Sequence, residues 1–330
     1  MADPRVSSDE IAAICEALLG NAPTDISYPG GMDRKTVVAT VAGRGVVVTK
    51  RSSVSRADLE AAVLQALGGS DGVPALLGQR GQFVVQSQLV GRRLSEALEV
   101  ADTRDRTGLL VAAGRALIAL QARANANGLR DMAPKIGDRE GWRQDFARSP
   151  DRLADLIGEV PPTYDLVALA ETIAAGRPSF VKWDARPGNA LVDAKGAVGW
   201  FDWEHCGVGS GEDDLVWLLA DEWAPNVPKA EFELLKTLAE AHGVAFKPLV
   251  KRFHTKAVLH SMIRLGLIFR RKGDGPWWSA KSALENDRVG VSLAHVRRVV
   301  TRADRWASAH EDMHDLRGLL QQAQSYAEAQ

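Results

Sequence analysis

The stretch 180–204, FVKWDARPGNALVDAKGAVGWFDWE, limits what this chain can fold into more than any other part of it. Phe180 and Val181 are apolar and lead into Asp184, and Asn189 follows five residues later. Ala190, Leu191 and Val192 read as a short buried strand, Asp193-Ala194-Lys195-Gly196 as a turn, and 197–201 as a returning strand that delivers Asp202. Such a hairpin holds two acids and an amide near one point. That set suits phosphoryl transfer. The first Asp receives a proton from an attacking hydroxyl, while the Asn and the second Asp hold magnesium on a nucleotide's phosphates.

The spacing resembles the catalytic and metal loops of protein-kinase-like phosphotransferases. The likeness is closer to the aminoglycoside phosphotransferase and choline kinase branch. It is carried by Pro187-Gly188-Asn189, Asp202-Trp203-Glu204 and Asp214-Leu215-Val216-Trp217, and extends over roughly 25–225. The resemblance implies an α+β, two-lobed protein-kinase-like fold. Residues 1–90 would form a small β-rich N-lobe and 91–330 a larger, mostly helical C-lobe. It implies an ATP- or GTP-dependent, Mg²⁺-requiring kinase that phosphorylates a hydroxyl of an aminoglycoside-, choline- or sugar-like small molecule. By position, Asp184 becomes the base and Arg186 a neutraliser of transition-state charge. Asn189 and Asp202 become metal ligands. Lys50, oriented by Glu60, becomes the phosphate-holding lysine. Gly30 and Gly31 become a phosphate loop, and the backbone near Gln88 and Val90 a hinge for the nucleotide base.

The totals agree with an ordinary globular protein. At 330 residues the chain is long for one core. Lys plus Arg number 41 against 42 Asp plus Glu, which gives no electrostatic reason for nucleic acid or an anionic membrane as a partner. Cys15 and Cys206, far apart, make no disulfide framework and fit a reduced cytoplasm. The first ten residues are polar, unlike a secretory signal, and no apolar run reaches the ~20 residues of a membrane helix.

Along the chain, 8–19 predicts a helix capped by Ser7 or Ser8, and 37–41 with 46–50 a hairpin. Ser55 and Asp58 resemble a capping box for a helix running to Leu67. Glu60 falls near that helix's apolar stripe, so its carboxylate needs a partner, which the resemblance supplies as Lys50. Helical patterns follow at 94–100, 105–124, 163–175, 229–242, 248–271 and most of 278–328. Residues 125–160 read as loops, and 207–211, GVGSG, as a flexible turn. In the resembled family Asp214 braces the catalytic loop from below.

The chain also departs from that family. Lys182 stands where relatives have His, and Ser210 where they often have Asp. These departures are the support for an alternative, a pseudokinase that binds nucleotide or a partner without transfer. His310-Glu311-Asp312-Met313-His314 matches a zinc-protease pattern, but a solvated helix face explains it and no third ligand is evident. Of the tryptophans near the site, Trp183, Trp200, Trp203, Trp217 and Trp223, most read as core and one or two as a cage for a cationic substrate. Asp221 and Glu222 read as binders of an amine or as a solvated helix end, and Arg270-Arg271-Lys272 as exposed.

Overall fold

The structure is a computed structural model that describes residues 6–29, 35–69, 72–285 and 289–330. It opens with α1 (Ser8–Leu19), β1 (Asp25–Ser27), β2 (Thr36–Val41), β3 (Arg44–Lys50), α2 (Val54–Leu67), β4 (Leu76–Arg80) and β5 (Phe83–Ser87). The strands form one antiparallel sheet in the order β1-β2-β3-β5-β4. Ala42 and Gly43, at φ 49° and 75°, make the tight turn between β2 and β3, so Arg44 and Gly45 belong to the strand. Strand alternation then sends Val46 and Val48 to one face, against Ile11, Ile14 and Cys15 of α1. The opposite face, with Val84, packs on Ala57, Val63 and Leu64 of α2.

Two local expectations change here. Helix α1 has the capping box, made by Ser7 and Glu10. Helix α2 does not: Ser53 is its N-cap, accepting from the Arg56 N–H, and the helix starts at Val54. Ser55 therefore lies inside the first turn, and Asp58 accepts instead from Gln79 Nε2 at 2.6 Å.

The second lobe begins with β6 (Arg92–Arg93), α3 (Leu94–Val100) and α4 (Thr103–Ala126). Residues 125–160 are not mainly loops. They hold α5 (Leu129–Met132), α6 (Trp142–Ala147) and α7 (Ser149–Ile157), all short: Pro134, Gly137 and Gly141 stand between α5 and α6, and Arg148 alone divides α6 from α7, whose first turn holds Pro150. Then come α8 (Leu166–Ala174), β7 (Pro178–Val181), a 3₁₀ turn at Pro187–Asn189, β8 (Ala190–Val192), β9 (Val198–Trp200) and β10 (Gly207–Ser210). Strands β6-β8-β9 form one small sheet and β7 pairs antiparallel with β10. The 207–210 segment is thus a strand and not a flexible turn. Its glycines serve close approach: a Cβ on Gly209 would lie 2.6 Å from Asp213 Oδ2 and one on Gly207 2.5 Å from the Pro134 carbonyl.

The chain ends in α9 (Glu212–Leu219), α10 (Pro228–His242), α11 (Phe246–Lys272), α12 (Ala280–Glu285), α13 (Leu293–Ser308) and α14 (Leu316–Glu328). The small sheet lobe and the larger helical lobe are the two parts of a protein-kinase-like fold. Helix α11 runs through the middle of the helical mass, and Leu249, Phe253, Val258, Met262 and Leu265 on it are buried. Lys272 at its end is buried too, with its ammonium 5.2 Å from the Trp277 ring centroid, so the basic run there is not wholly exposed. Among the described residues no helix is long and apolar enough to cross a membrane.

Glu231 of α10 fastens three of these helices. His254 Nε2 of α11 lies 3.2 Å from it, and Arg305 and Trp306 of α13 donate to it at 2.5 and 2.8 Å. Burial works against its charge, but these donors outweigh burial and hold its carboxyl at about 2, against an ordinary 4.5. A folded-state pKa below the unfolded one gives stability that is present above pH 4.5 and lost as pH falls toward 2. Denaturant titrations across that window are expected to show a loss on the order of 3 kcal/mol in the wild type. Glu231→Gln, less stable at neutral pH, is expected to lack that part of the acid limb. An acid limb of equal depth in both proteins would assign it to other groups.

Candidate active site

The loop between β7 and β8 is held from beneath by Asp214, near the start of α9. Its carboxylate accepts from the backbone N–H groups of Lys182 at 3.0 Å and Trp183 at 2.8 Å, and from Gln121 Nε2 at 2.8 Å. Burial pushes the Asp214 carboxyl up to about 6 in spite of these donors. The fastening lets Trp183 and Asp184 adopt φ of 51° and 44°, a left-handed bend that side chains seldom take. Within the loop, Asp184 accepts from Arg186 Nε at 2.9 Å on one oxygen and from Asn189 Nδ2 at 2.8 Å on the other. Its side chain keeps 18% of its surface open, enough to meet a ligand hydroxyl.

Asp202 follows β9 with φ 63°. Lys182, buried to 1% exposure, donates from Nζ to the Asp202 carbonyl at 2.9 Å and lies over the Trp200 and Trp203 rings. Burial pushes its ammonium below its usual range, against the pull of Asp202, Asp184 and Asp214. Lys182 therefore neither faces solvent nor pairs its ammonium with an acid. It supports the loop that carries Asp202.

The pairing expected for Glu60 is corrected. Its partner is Arg51, whose Nε and Nη2 each lie 2.5 Å from a Glu60 oxygen. Arg51 Nη1 also reaches Asp202 Oδ1 at 2.8 Å and Glu204 Oε1 at 3.1 Å. Lys50 bonds instead to Glu10 of α1 at 3.1 Å and lies over Phe83. The reason is the two-residue period of a strand: Lys50 shares the face of Val46 and Val48, while Arg51 emerges on the other. Burial disfavours the charge on Arg51, but Asp202, Glu60 and Glu204 raise its pKa above the usual value. Burial likewise pushes Asp202 up, and Arg51 and Lys182 overcome it, so the carboxyl stays below its usual range.

At the hinge, the Gln88 N–H is already given to the Gly45 carbonyl at 3.2 Å, so it is not a free donor for a base. The Val90 side chain is 83% exposed and its backbone groups have no partner among the described residues. Gly30 and Gly31 lie outside the described residues.

The arrangement fits magnesium on a nucleotide. Among the described residues no group of three or more His, Cys, Asp or Glu could hold a metal unaided. Magnesium usually takes one or two side chains and leaves the rest of its shell to water and phosphate. The Asn189 nitrogen is spent on the Asp184 carboxylate and carbonyl, which leaves the amide oxygen, with Asp202, for a cation. The two histidines of the zinc-like pattern are engaged apart: His310 Nε2 lies 2.9 Å from His254 Nδ1 and His314 Nε2 lies 3.1 Å from the Ser308 carbonyl. Residues 311–313 form a 3₁₀ turn there, not a solvated helix face. Asp221 and Glu222 are fully buried, and Arg264 holds Glu222 at 2.6 Å, so they are not an open amine site.

Fold and loop architecture define a phosphotransferase with a protein-kinase-like fold. The chain belongs to the phosphotransferase enzyme family (APH), a family of small-molecule kinases, whose profile residues 26–249 match. The likeness to solved structures is one of fold. A candidate aminoglycoside phosphotransferase from Ralstonia eutropha has 14% identity and a TM-score of 0.58, covering 98% of this chain and 99% of that one. For the macrolide 2'-phosphotransferase MphH of Brachybacterium faecium the values are 20% and 0.53, with 85% and 98% covered. For a GDP complex of aminoglycoside 2'-phosphotransferase-IIIa they are 12% and 0.53, with 94% and 96% covered. A related neighbour was solved with streptomycin and ATP. No curated protein matches the sequence.

The contrast between the two basic neighbours is measurable. Arg51→Met leaves Glu60 buried and unpaired, at an expected ~3–5 kcal/mol of stability. Lys50→Met breaks a partly exposed pair and is expected to lose about 1 kcal/mol or less. In a double-mutant cycle Arg51 should couple strongly to Glu60 and Lys50 should not. Equal losses for the two single variants would reverse the correction.

Proposed function

We propose that the chain moves the γ-phosphate of ATP or GTP to a hydroxyl of a small molecule. The observation that carries this reading is Asp184, a partly open carboxylate held between Arg186 and Asn189 in a strained loop. In the proposed reaction the acceptor hydroxyl gives its proton to Asp184. Arg186 keeps that carboxylate aimed and adds positive charge beside the transferred group. Asn189 and Asp202 would hold Mg²⁺, which when bound neutralises charge on the nucleotide's phosphates. Arg51, rather than Lys50, would hold those phosphates by turning Nη1 to them from Asp202 and Glu204, while Nε and Nη2 stay on Glu60. Backbone groups at Val90 would meet the base.

The departures that favour a pseudokinase lose weight. Lys182 supports the Asp202 loop in place of the family's His, and the Ser210 N–H is held at 2.7 Å by the neighbouring Asp213. The neighbours' names, aminoglycoside and macrolide phosphotransferases, support a hydroxylated small molecule as the acceptor. The burial of Asp221 and Glu222 argues against a polyamine. Free, buried Cys15 and Cys206 suit a cytoplasmic setting.

Asp184→Asn keeps the side chain's shape and removes its basicity. With a competent acceptor, found by screening alcohols for coupled ADP release, turnover is expected to fall about 10²–10⁴-fold. Nucleotide affinity should stay within a few-fold. Asp202→Ala is expected to abolish the Mg·ATP thermal shift. Wild-type turnover in Asp184→Asn would remove this residue from transfer, and an unchanged shift in Asp202→Ala would remove it from the metal.

A further inference from the structure

Beside the catalytic loop lies a cavity of about 630 Å³, within the usual size range of small-molecule sites. One wall is a chain of rings. Trp142 lies 6.2 Å from Trp183, Trp183 5.6 Å from Trp217, and Trp217 4.4 Å from His260, centroid to centroid. These rings come from α6, the loop before Asp184, α9 and α11. His260 is 5% exposed, and its Nε2 has no hydrogen-bond partner among the described residues. A buried nitrogen left without a partner is unusual, and here it belongs to a residue that lines the cavity.

A ring-lined pocket often suits a cation, but the charges here oppose one. Cationic side chains outnumber carboxylates along the lining by five to three. Two of the three acids are already engaged: Asp213 by Lys256 at 2.7 Å and by the Ser210 N–H, and Asp145 by Arg139. Lys135 and Arg143 at the rim carry no ion pair among the described residues. Burial pushes His260 down to about 3, so the ring is neutral near pH 7 and offers a hydrogen bond without charge.

We infer that this cavity binds a flat, largely apolar molecule that carries an anionic group. The apolar body would stack along Trp142, Trp183 and Trp217, its acid would face the cationic rim, and a polar atom would pair with His260. Binding there needs no nucleotide and no transfer, so it is read separately from the kinase reaction.

The test uses calorimetry on the full chain with three probes of one shape: 6-(hydroxymethyl)-2-naphthoate, neutral 2-naphthalenemethanol and the corresponding naphthylmethyl trimethylammonium cation. The anion is expected to bind at least about tenfold tighter than the cation. Trp142→Ala should weaken the anion by about tenfold or more. Because that change also removes packing around a half-buried residue, Ala174→Phe is the second variant. Ala174 is exposed and lines the mouth, so a phenyl ring there blocks entry without entering the core. Phosphorylation of the bound hydroxymethyl probe under Mg·ATP would identify the ligand as the acceptor. Binding without phosphorylation would assign the same chemistry to a non-acceptor ligand. Either result upholds the site. No binding at millimolar concentration, preference for the cation, or unchanged binding in Ala174→Phe would overturn it.

Discussion

A guanidinium almost cut off from water stands where the two lobes meet. Arg51 follows the end of β3, grips Glu60 on α2 with two nitrogens, and turns its third toward Asp202 and Glu204 of the helical lobe. A buried ion is tolerated only when its partners are in place, so this one charge fixes three segments relative to one another. Secondary contacts reinforce it: the Trp203 N–H reaches Glu60 at 3.3 Å and Arg56 donates to the Glu204 carbonyl at 2.5 Å. The position of Asp202 relative to the loop between β7 and β8 depends on this junction.

The loop between β7 and β8 has its own support in Asp214 and Lys182. Asp214 satisfies two backbone N–H groups in a bend that exposes them, and Lys182 spans from that bend to the carbonyl of Asp202. The ammonium supplies a donor beneath the loop that carries Asp202. The ammonium is buried at a cost, eased by the faces of Trp200 and Trp203. Those two tryptophans are core, as expected of most of the five near the site, while Trp183 and Trp217 line open space.

The hairpin around Asp184, Asn189 and Asp202 was legible because its signals are local: apolar triplets, an Asp-to-Gly turn and a fixed spacing. The resemblance supplies Lys50 as the partner of Glu60, although alternation from Val46 and Val48 assigns Lys50 to the α1 face. Residues 125–160 hide their helices because Gly and Pro break them before a period develops, and 207–210 hides a strand because glycines that serve close packing look like a turn. The burial of Asp221 and Glu222 had no local sign at all. It depends on Arg264, 42 residues beyond Glu222 on another helix.

The forked shape of Arg51 has a consequence for control. A lysine has one nitrogen and must divide it between its acidic partner and a phosphate. An arginine can keep two nitrogens on Glu60 and present the third elsewhere. Swinging α2 outward, a common way to silence kinase-like sites, would strand both members of a buried pair at ~3–5 kcal/mol, a population ratio beyond a hundredfold. The resting arrangement of this fold is therefore the assembled one.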